Sequence, residues 1–162
     1  MKGGDDMTEL SDDAYFEYVV RKYANMIYRL AFQNLQNKCD ADDVFGEVCL
    51  AVLTKSPPRD SEEHLRRWLI TVTVNKCRNV RKSFWRSKVD PIDDHSELAA
   101  DEVGEVFAEL AQLPENYRNV IYLYYYEEYT IAEIGEILGK SPNTIGTWLR
   151  RAREKLKGIL EE

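Results

Sequence analysis

Cysteine and histidine are scarce in this chain of 162 residues. The three cysteines, Cys39, Cys49 and Cys77, form no Cys-x-x-Cys pair, and their odd number suits reduced thiols better than a disulfide framework. The two histidines, His64 and His95, are not grouped with them as zinc ligands would be. We therefore expect no metal, no cofactor and a cytoplasmic location.

Long apolar runs are also missing. The longest, 120–126, is far shorter than the ~18 apolar residues that a membrane-spanning helix requires. The polar residues 1–11 lead into no apolar segment, so we expect no signal peptide and a disordered tail.

A net positive charge, which is typical of nucleic-acid-binding proteins, is absent, because the formal net charge is −7. The charges are nonetheless grouped along the chain. Lys and Arg outnumber Asp and Glu in residues 61–89 and 140–160, whereas residues 91–115 contain acidic residues and no Lys or Arg. Two basic stretches on an acidic chain predict two contact surfaces for nucleic acid.

The last part of the chain has the pattern of two short helices joined by a tight turn. Thr130 and Glu133 match a capping box, Gly139 suits a left-handed C-cap, and Ser141 can cap the second helix. Polar and basic residues lie mostly off the apolar stripe of that helix: Asn143, Thr144, Thr147, Arg150 and Arg151. This pattern predicts a DNA-reading helix-turn-helix, and the alternative is a helical hairpin with a solvated basic face.

Helical periodicity also accounts for the N-terminal half. An amphipathic pattern runs from 14 to about 36, and Asp40 is the predicted N-cap of a second helix. Two prolines exclude helix from the loop 55–60, and Ser61 can cap a third helix that ends near 85. The β-branched run 70–74 favours a strand by propensity, but the cap and the length favour a helix with a stripe of Leu65, Trp68, Leu69, Val72 and Lys76.

The end of the third helix mixes aromatic residues with positive charge at Lys76, Arg78, Arg81, Lys82 and Arg86. A solvated helix end and a surface for phosphates and stacked bases are equally good interpretations. Residues 87–100 have no apolar period and predict an acidic linker between domains. Helix resumes near 101. The tyrosines 124–126 could stack on bases, but their helical spacing favours a core and packing surface.

The order of these segments resembles the extracytoplasmic-function group of bacterial sigma factors. The motifs that carry the resemblance are Asp-Ala-Asp-Asp-Val-Phe-Gly-Glu-Val at 40–48, the helix 68–79, and Leu-Pro-Glu-Asn-Tyr-Arg at 113–118 followed by 130–156. The resemblance implies an all-α fold of two small helical domains joined by a flexible acidic linker. The implied parts are a disordered tail 1–11, a region-2-like domain 12–86, a linker 87–101, and a region-4-like helix-turn-helix domain 102–162.

The resemblance also implies a function: a promoter-specificity subunit without chemistry of its own. Core RNA polymerase would bind Asp40, Asp43, Phe45 and Glu47. The unpaired strand of the minus-ten element would contact the loop 55–61, with Lys55 and Arg59, and the helix residues Asn75, Arg78, Asn79 and Lys82. The minus-thirty-five element would contact Asn143, Thr144, Thr147, Arg150, Arg151 and Arg153. Further implied partners are promoter DNA and an anti-sigma factor, with no small-molecule substrate.

Some positions depart from the family pattern. Gly146 and Trp148 stand where many members have basic residues, Arg150 where Ser or His is common, and Asn79 where many have Asp. The promoter sequence cannot therefore be transferred from relatives.

Two other functions are compatible with parts of the sequence. A dimeric helix-turn-helix regulator would bind palindromic sites, but it leaves the basic and aromatic residues 75–86 without a role. A small helical enzyme would need Asp60, Glu62, Glu63 and His64 as an acid–base cluster, but these lie on a loop and a first helical turn without a second cluster.

Overall fold

A computed structural model describes residues 7–87 and 106–161, which form helices joined by short loops, with no strand among them. The helices are α1 Asp12–Leu35, α2 Lys38–Thr54, α3 Glu62–Ser87, α4 Val106–Leu110, α5 Glu115–Ile121, α6 Ile131–Leu138 and α7 Pro142–Leu160. A 3-10 turn, Met7–Glu9, precedes α1, and a π-helical turn, Tyr122–Tyr126, follows α5. The predicted all-α fold is confirmed, and the run 70–74 lies inside α3.

The described residues belong to two compact units. The first consists of those within Met1–Ala31 and Cys39–Ile92, and the second of those within Phe32–Lys38 and Asp93–Glu162. The predicted linker 87–101 lies outside the described residues except for Ser87. Of the predicted disordered tail 1–11, residues 7–11 are described, and Met7 is fully buried in a 3-10 turn, so disorder is not observed up to residue 11. The other predicted domain bounds stay a prediction.

Helices α1, α2 and α3 supply the core of the first unit. Its fully buried apolar side chains include Val19, Leu30, Val44, Val48, Leu65, Leu69 and Ile70. Ser11 caps α1 through a 3.2 Å bond from the Ala14 amide, and Ser61 caps α3 through a 3.0 Å bond from the His64 amide. These caps satisfy amide groups that the first helical turn leaves free.

Two local predictions for this unit are wrong. Helix α2 begins at Lys38, so Asp40 lies in its first turn and is not the N-cap. The buried stripe of α3 continues through Ile70, Thr73, Val74 and Cys77, whereas the predicted members Val72 and Lys76 are half-buried. Thr73 is tolerated there because its hydroxyl donates to the Leu69 carbonyl at 2.7 Å.

The second unit contains a buried guanidinium group. Arg118 donates to the carbonyl oxygens of Gln33 at 2.8 Å, Asn34 at 3.0 Å and Leu113 at 2.5 Å. The neighbouring amide of Asn119 accepts from the side chains of Gln33 and Asn34. Because a buried charge is costly unless it is hydrogen-bonded, these carbonyl partners explain how the unit tolerates Arg118 in its interior.

Helices α6 and α7 form the predicted helix-turn-helix, and the capping details are confirmed. Thr130 accepts from the Glu133 amide at 3.1 Å, and Glu133 accepts from the Thr130 amide at 2.9 Å. Gly139 ends α6 with φ 70°, and Ser141 caps α7. The turn also requires Gly135, because a Cβ atom there would lie 2.6 Å from the Lys140 carbonyl oxygen.

The tyrosine run was not predicted correctly. It belongs to the π-helical turn Tyr122–Tyr126, in which the rings of Tyr122 and Tyr126 stack at 5.2 Å. Tyr122 is buried, but Tyr125 and Tyr126 are 55% and 51% exposed. The wider turn therefore presents part of the run to solvent instead of packing it.

Candidate nucleic-acid interface

The polar face of α7 is accessible along its length. Asn143, Arg150 and Arg151 are exposed, and Thr147 is half-buried. At about 100° per residue, these four side chains fall within roughly 100° of arc on one side of the helix. Ile145, Leu149 and Ala152 are buried on the other side, so packing fixes which side of α7 faces outward.

Two further predicted residues of α7 already have contacts within the protein. Thr144 lies at the capped start of the helix, where its hydroxyl is 3.0 Å from the Ser141 hydroxyl. Arg153 donates from Nε to the Tyr125 hydroxyl at 2.6 Å, and its guanidinium carbon lies 5.4 Å from the ring centroids of Tyr124 and Tyr125. Arg153 is therefore oriented by the π-helical turn and lies beside the face that carries Asn143 and Thr147.

The two unusual residues of α7 occupy different environments. A Cβ atom on Gly146 would meet no atom within 4 Å, so intramolecular packing does not require glycine there. Trp148 is half-buried next to the buried Leu149, at the edge of the apolar stripe.

A second polar face runs along α3. Asn75, Arg78, Asn79 and Lys82 are all exposed. Their spacing of three, four and seven residues places them on one side of the helix. Two cations and two amides on one accessible face can contact phosphates and hydrogen-bond to bases.

The loop between α2 and α3 carries the other two residues predicted for this surface. Lys55 is exposed, and Ser56 has a left-handed φ of 50°. Arg59 donates from Nη1 to the Leu10 carbonyl at 2.8 Å and from Nη2 to Asp12 at 2.8 Å. Its guanidinium carbon lies 4.0 Å from the centroid of the Tyr15 ring.

Helix α1 contacts this loop at Pro58 and contacts the first residue of α3, Glu62. The Tyr15 hydroxyl donates to the Pro58 carbonyl at 3.0 Å, and burial raises the pKa of Tyr15 to about 12. Glu62 accepts hydrogen bonds from the hydroxyls of Tyr18 and Tyr23 and pairs with Lys22 at 3.2 Å. Burial acts to raise the pKa of Glu62, but the bonds from these three side chains keep it below the usual range.

The four residues of α2 that were predicted to bind polymerase do not all lie on one face of the helix. Asp43 and Glu47 are exposed on one side of the helix, and Asp40 is half-buried with a pKa raised by burial and by the nearby Asp43. Phe45 is half-buried and lies about 160° around the helix from Asp43 and Glu47.

Two residues of α2 were missed by the sequence reasoning. Leu50 and Leu53 are 59% and 57% exposed on the side of the helix that carries Asp43. Their sequence signal was available: both are large apolar residues off the stripe of Val44, Val48 and Ala51. Two exposed leucines three residues apart on one helix form a small apolar patch, which makes this side of α2 a candidate surface for binding another protein.

Two models of known families match the stretches of the chain that contain these surfaces. The family model described as Sigma-70 region 2 matches residues 19–87, and the model described as Sigma-70, region 4 matches residues 104–156. Together the two matches span most of the chain. This chain belongs to the sigma-70 family. The first match contains the exposed faces of α2 and α3, and the second contains the helix-turn-helix.

Similar proteins place this sigma factor in the extracytoplasmic-function group. It is 25% identical to the ECF RNA polymerase sigma factor SigW of Bacillus subtilis (strain 168), with 93% of this chain and 91% of that protein covered. Two solved structures share its fold. One is CnrH in complex with the cytosolic domain of CnrY, with a TM-score of 0.68, 22% identity, and 98% of this chain and 94% of that chain covered. The other is RpoE with the anti-sigma factor NepR from Bartonella quintana, with a TM-score of 0.70, 19% identity, and 90% and 96% covered.

Among residues 7–87 and 106–161, no group of His, Cys, Asp and Glu side chains could hold a metal ion. None of the helices described here is long and apolar enough to cross a membrane. The function that the family establishes is promoter-specific initiation of transcription.

Proposed function

We propose that this sigma factor binds core RNA polymerase through α2, the unpaired minus-ten strand through α3 and the loop 55–61, and the minus-thirty-five element through α7. The exposed face of α3 carries the proposal. A solvent-exposed row of amides and cations inside the region-2 match is suited to a single strand, because it combines phosphate contacts with hydrogen bonds to bases.

The polymerase surface is proposed to consist of Asp43, Glu47, Leu50 and Leu53, with Asp40 at its edge. Carboxylates steer the approach of a basic partner, and apolar side chains lose contact with water when the complex forms. Phe45 was predicted for this surface, and its position on another side of α2 makes it a test of how far the surface extends.

The DNA surface on α7 is proposed to divide its tasks. Asn143 and Thr147 are short polar side chains that can hydrogen-bond to base edges, whereas Arg150 and Arg151 are long enough to reach phosphates. Thr144 and Arg153 flank them. We assign the protein no catalytic activity of its own and a cytoplasmic place of action beside the polymerase.

An anti-sigma factor is a further proposed partner. The support is that each of the two solved structures with a similar fold is a complex with a second protein. CnrH is bound to the cytosolic domain of CnrY, and RpoE is bound to the anti-sigma factor NepR. Copurification of the tagged chain from its own cells, followed by reconstitution from purified parts, tests this partner.

Transcription from purified components tests the main proposal. Core polymerase is combined with the chain on a pool of genomic fragments, and the start sites of the transcripts are sequenced. We expect a set of starts that core polymerase alone does not give. The double variant N75A/N79A should lose these starts, and Arg21→Ala, which changes an exposed residue of α1, should keep them. Identical transcripts with and without the chain would contradict the proposed function.

A further inference from the structure

Arg59 has used much of its hydrogen-bonding capacity inside the protein. Its two terminal nitrogens donate to the Leu10 carbonyl and the Asp12 carboxylate, and its guanidinium carbon lies over the Tyr15 ring, 4.0 Å from the ring centroid. The side chain of Arg59 is 28% exposed, whereas that of Asp12 is 96% exposed. An ion pair with so exposed a carboxylate contributes little, so the carbonyl and the ring are the contacts that hold Arg59.

The contacts of Arg59 connect the loop to the start of the chain. Leu10 follows the 3-10 turn Met7–Glu9, whose Met7 side chain is fully buried. Tyr15 contacts the loop twice, through its ring to Arg59 and through its hydroxyl to the Pro58 carbonyl. The segment Met7–Tyr15 therefore holds two consecutive residues of the loop.

We infer that Arg59 is a positioning residue for promoter recognition, and that Met7–Tyr15 forms a brace which fixes the shape of the loop 55–61 for the minus-ten strand. This inference rests on the proposed function of the loop. It assigns different tasks to two cations of one loop: Lys55 is exposed and contacts DNA, whereas Arg59 acts through the backbone of Leu10 and the ring of Tyr15. Direct contact of Arg59 with DNA is the competing explanation.

The chemistry of arginine separates these explanations. A guanidinium group can donate to two acceptors in fixed directions while its plane stacks on a ring, and an ammonium group cannot reproduce this geometry. A phosphate contact, by contrast, depends mainly on charge and reach. Arg59→Lys should therefore preserve a phosphate contact and disrupt the brace.

The brace also predicts a requirement for Tyr15. Tyr15→Phe keeps the ring against Arg59 and removes the hydroxyl that donates to Pro58. Because this variant retains the apolar part of the side chain, it is a mild change to the core. It should nevertheless impair recognition in the same manner as Arg59→Lys.

The experiment measures binding of single-stranded non-template oligonucleotides to the reconstituted holoenzyme. The oligonucleotides carry the minus-ten element selected by the wild-type holoenzyme or that element with one base replaced, and each is titrated at several salt concentrations. For Arg59→Lys and Tyr15→Phe we expect discrimination between the two oligonucleotides to fall about fivefold or more, with the salt dependence unchanged. For Lys55→Ala we expect the logarithmic salt slope to fall by ~0.7, with discrimination retained.

Two results would overturn the inference. One is an Arg59→Lys protein that equals the wild type in discrimination while Arg59→Ala lowers the salt slope as Lys55→Ala does, because Arg59 would then bind phosphate. The other is a Tyr15→Phe protein, folded by its thermal transition, with unchanged discrimination. Failure of the wild-type chain to confer oligonucleotide binding on core polymerase would instead contradict the proposed function.

Discussion

The arginines of α7 differ in what already holds them. Arg153 is held by Tyr124 and Tyr125, and Arg150 lies 3.8 Å from the Glu154 carboxylate in a pair in which both side chains are more than 60% exposed. No hydrogen bond or ion pair of Arg151 occurs among the residues described in the structure. Since an exposed ion pair is weak, both Arg150 and Arg151 can turn towards DNA at little cost.

The arginines and the short polar residues of α7 should contribute differently when the holoenzyme binds duplex promoter DNA. Arg150→Ala and Arg151→Ala should weaken binding to all sequences about equally and lower the salt slope by ~0.9 each, because each removes one phosphate contact. Asn143→Ala and Thr147→Ala should cost ~1–3 kcal/mol at a single base pair and leave the slope unchanged. Titrations against a set of single-base variants at several salt concentrations measure both quantities. If all four variants gave the same profile, the proposed division of tasks would be refuted.

At the scale of elements, α2 is exposed on a side that mixes charge and apolar area. The double charge reversal D43K/E47K should abolish binding of the chain to core polymerase, because it replaces two carboxylates by two cations on one face. The helix should remain folded, since both positions are exposed. Gel filtration with core polymerase measures binding, and circular dichroism measures the fold. The control is Glu17→Lys on α1, which is also exposed and should bind normally. Unchanged binding by the double variant would place the polymerase surface elsewhere.

Two glycines of the helix-turn-helix form a matched pair. Gly135→Ala should lower the thermal stability of the second unit, because its Cβ atom would lie 2.6 Å from a backbone oxygen of Lys140. The Cβ atom that Gly146→Ala adds would have no atom within 4 Å. The variant should therefore raise the stability of the helix by up to ~1 kcal/mol, because alanine has a higher helix propensity than glycine. Thermal unfolding of both variants shows whether each is less or more stable than the wild type.

The Gly146→Ala variant also tests why α7 contains glycine at this position. If Gly146 allows close approach of the backbone to DNA, Gly146→Ala should reduce holoenzyme binding to duplex promoter DNA while stabilising the fold. Binding that equals the wild type would remove this role.

The structural features that sequence predicted well are those that depend on neighbouring residues. The capping box at Thr130, the left-handed Gly139 and the Ser141 cap all lie within a few residues of their partners, so local pattern was sufficient. The buried face of α3 differs from the predicted one because the Thr73 hydroxyl donates a hydrogen bond to the Leu69 carbonyl, which allows Thr73 to lie in the core. The hydropathy of the sequence alone does not show that a threonine will be buried in this way.

The contacts that shape the candidate site could not be predicted in the same way. Arg59 was placed with the DNA contacts because it is a cation in the right loop, whereas its partners Leu10 and Tyr15 are more than forty residues away in sequence. The π-helical turn Tyr122–Tyr126 departs from the period of 3.6 residues on which the prediction depended. Leu50 and Leu53 were visible as misplaced apolar residues, but a surface is recognised only when their exposure is known.

At the scale of the whole molecule, net charge and local charge have opposite effects. A formal net charge of −7 opposes attraction to DNA, and the acidic residues of 91–115 lie in sequence between the two basic stretches. Basic side chains are nevertheless exposed on α3 and α7. We therefore expect the free chain to bind DNA poorly in general, with the exposed faces of α3 and α7 as its two proposed contact surfaces.

This balance predicts that the isolated chain binds duplex promoter DNA weakly and that core polymerase restores specificity. A single helix-turn-helix contacts one half-site, which limits its affinity. The α3 face is suited to unpaired bases, which closed duplex does not offer. Polymerase would supply melted strand and hold both surfaces near their targets, so that the second contact forms at high effective concentration. The measurement compares promoter and scrambled duplex at one salt concentration, with and without core polymerase. Tight, sequence-specific binding by the chain alone, unchanged by polymerase, would favour a simple helix-turn-helix regulator, because such a regulator needs no polymerase to find its site.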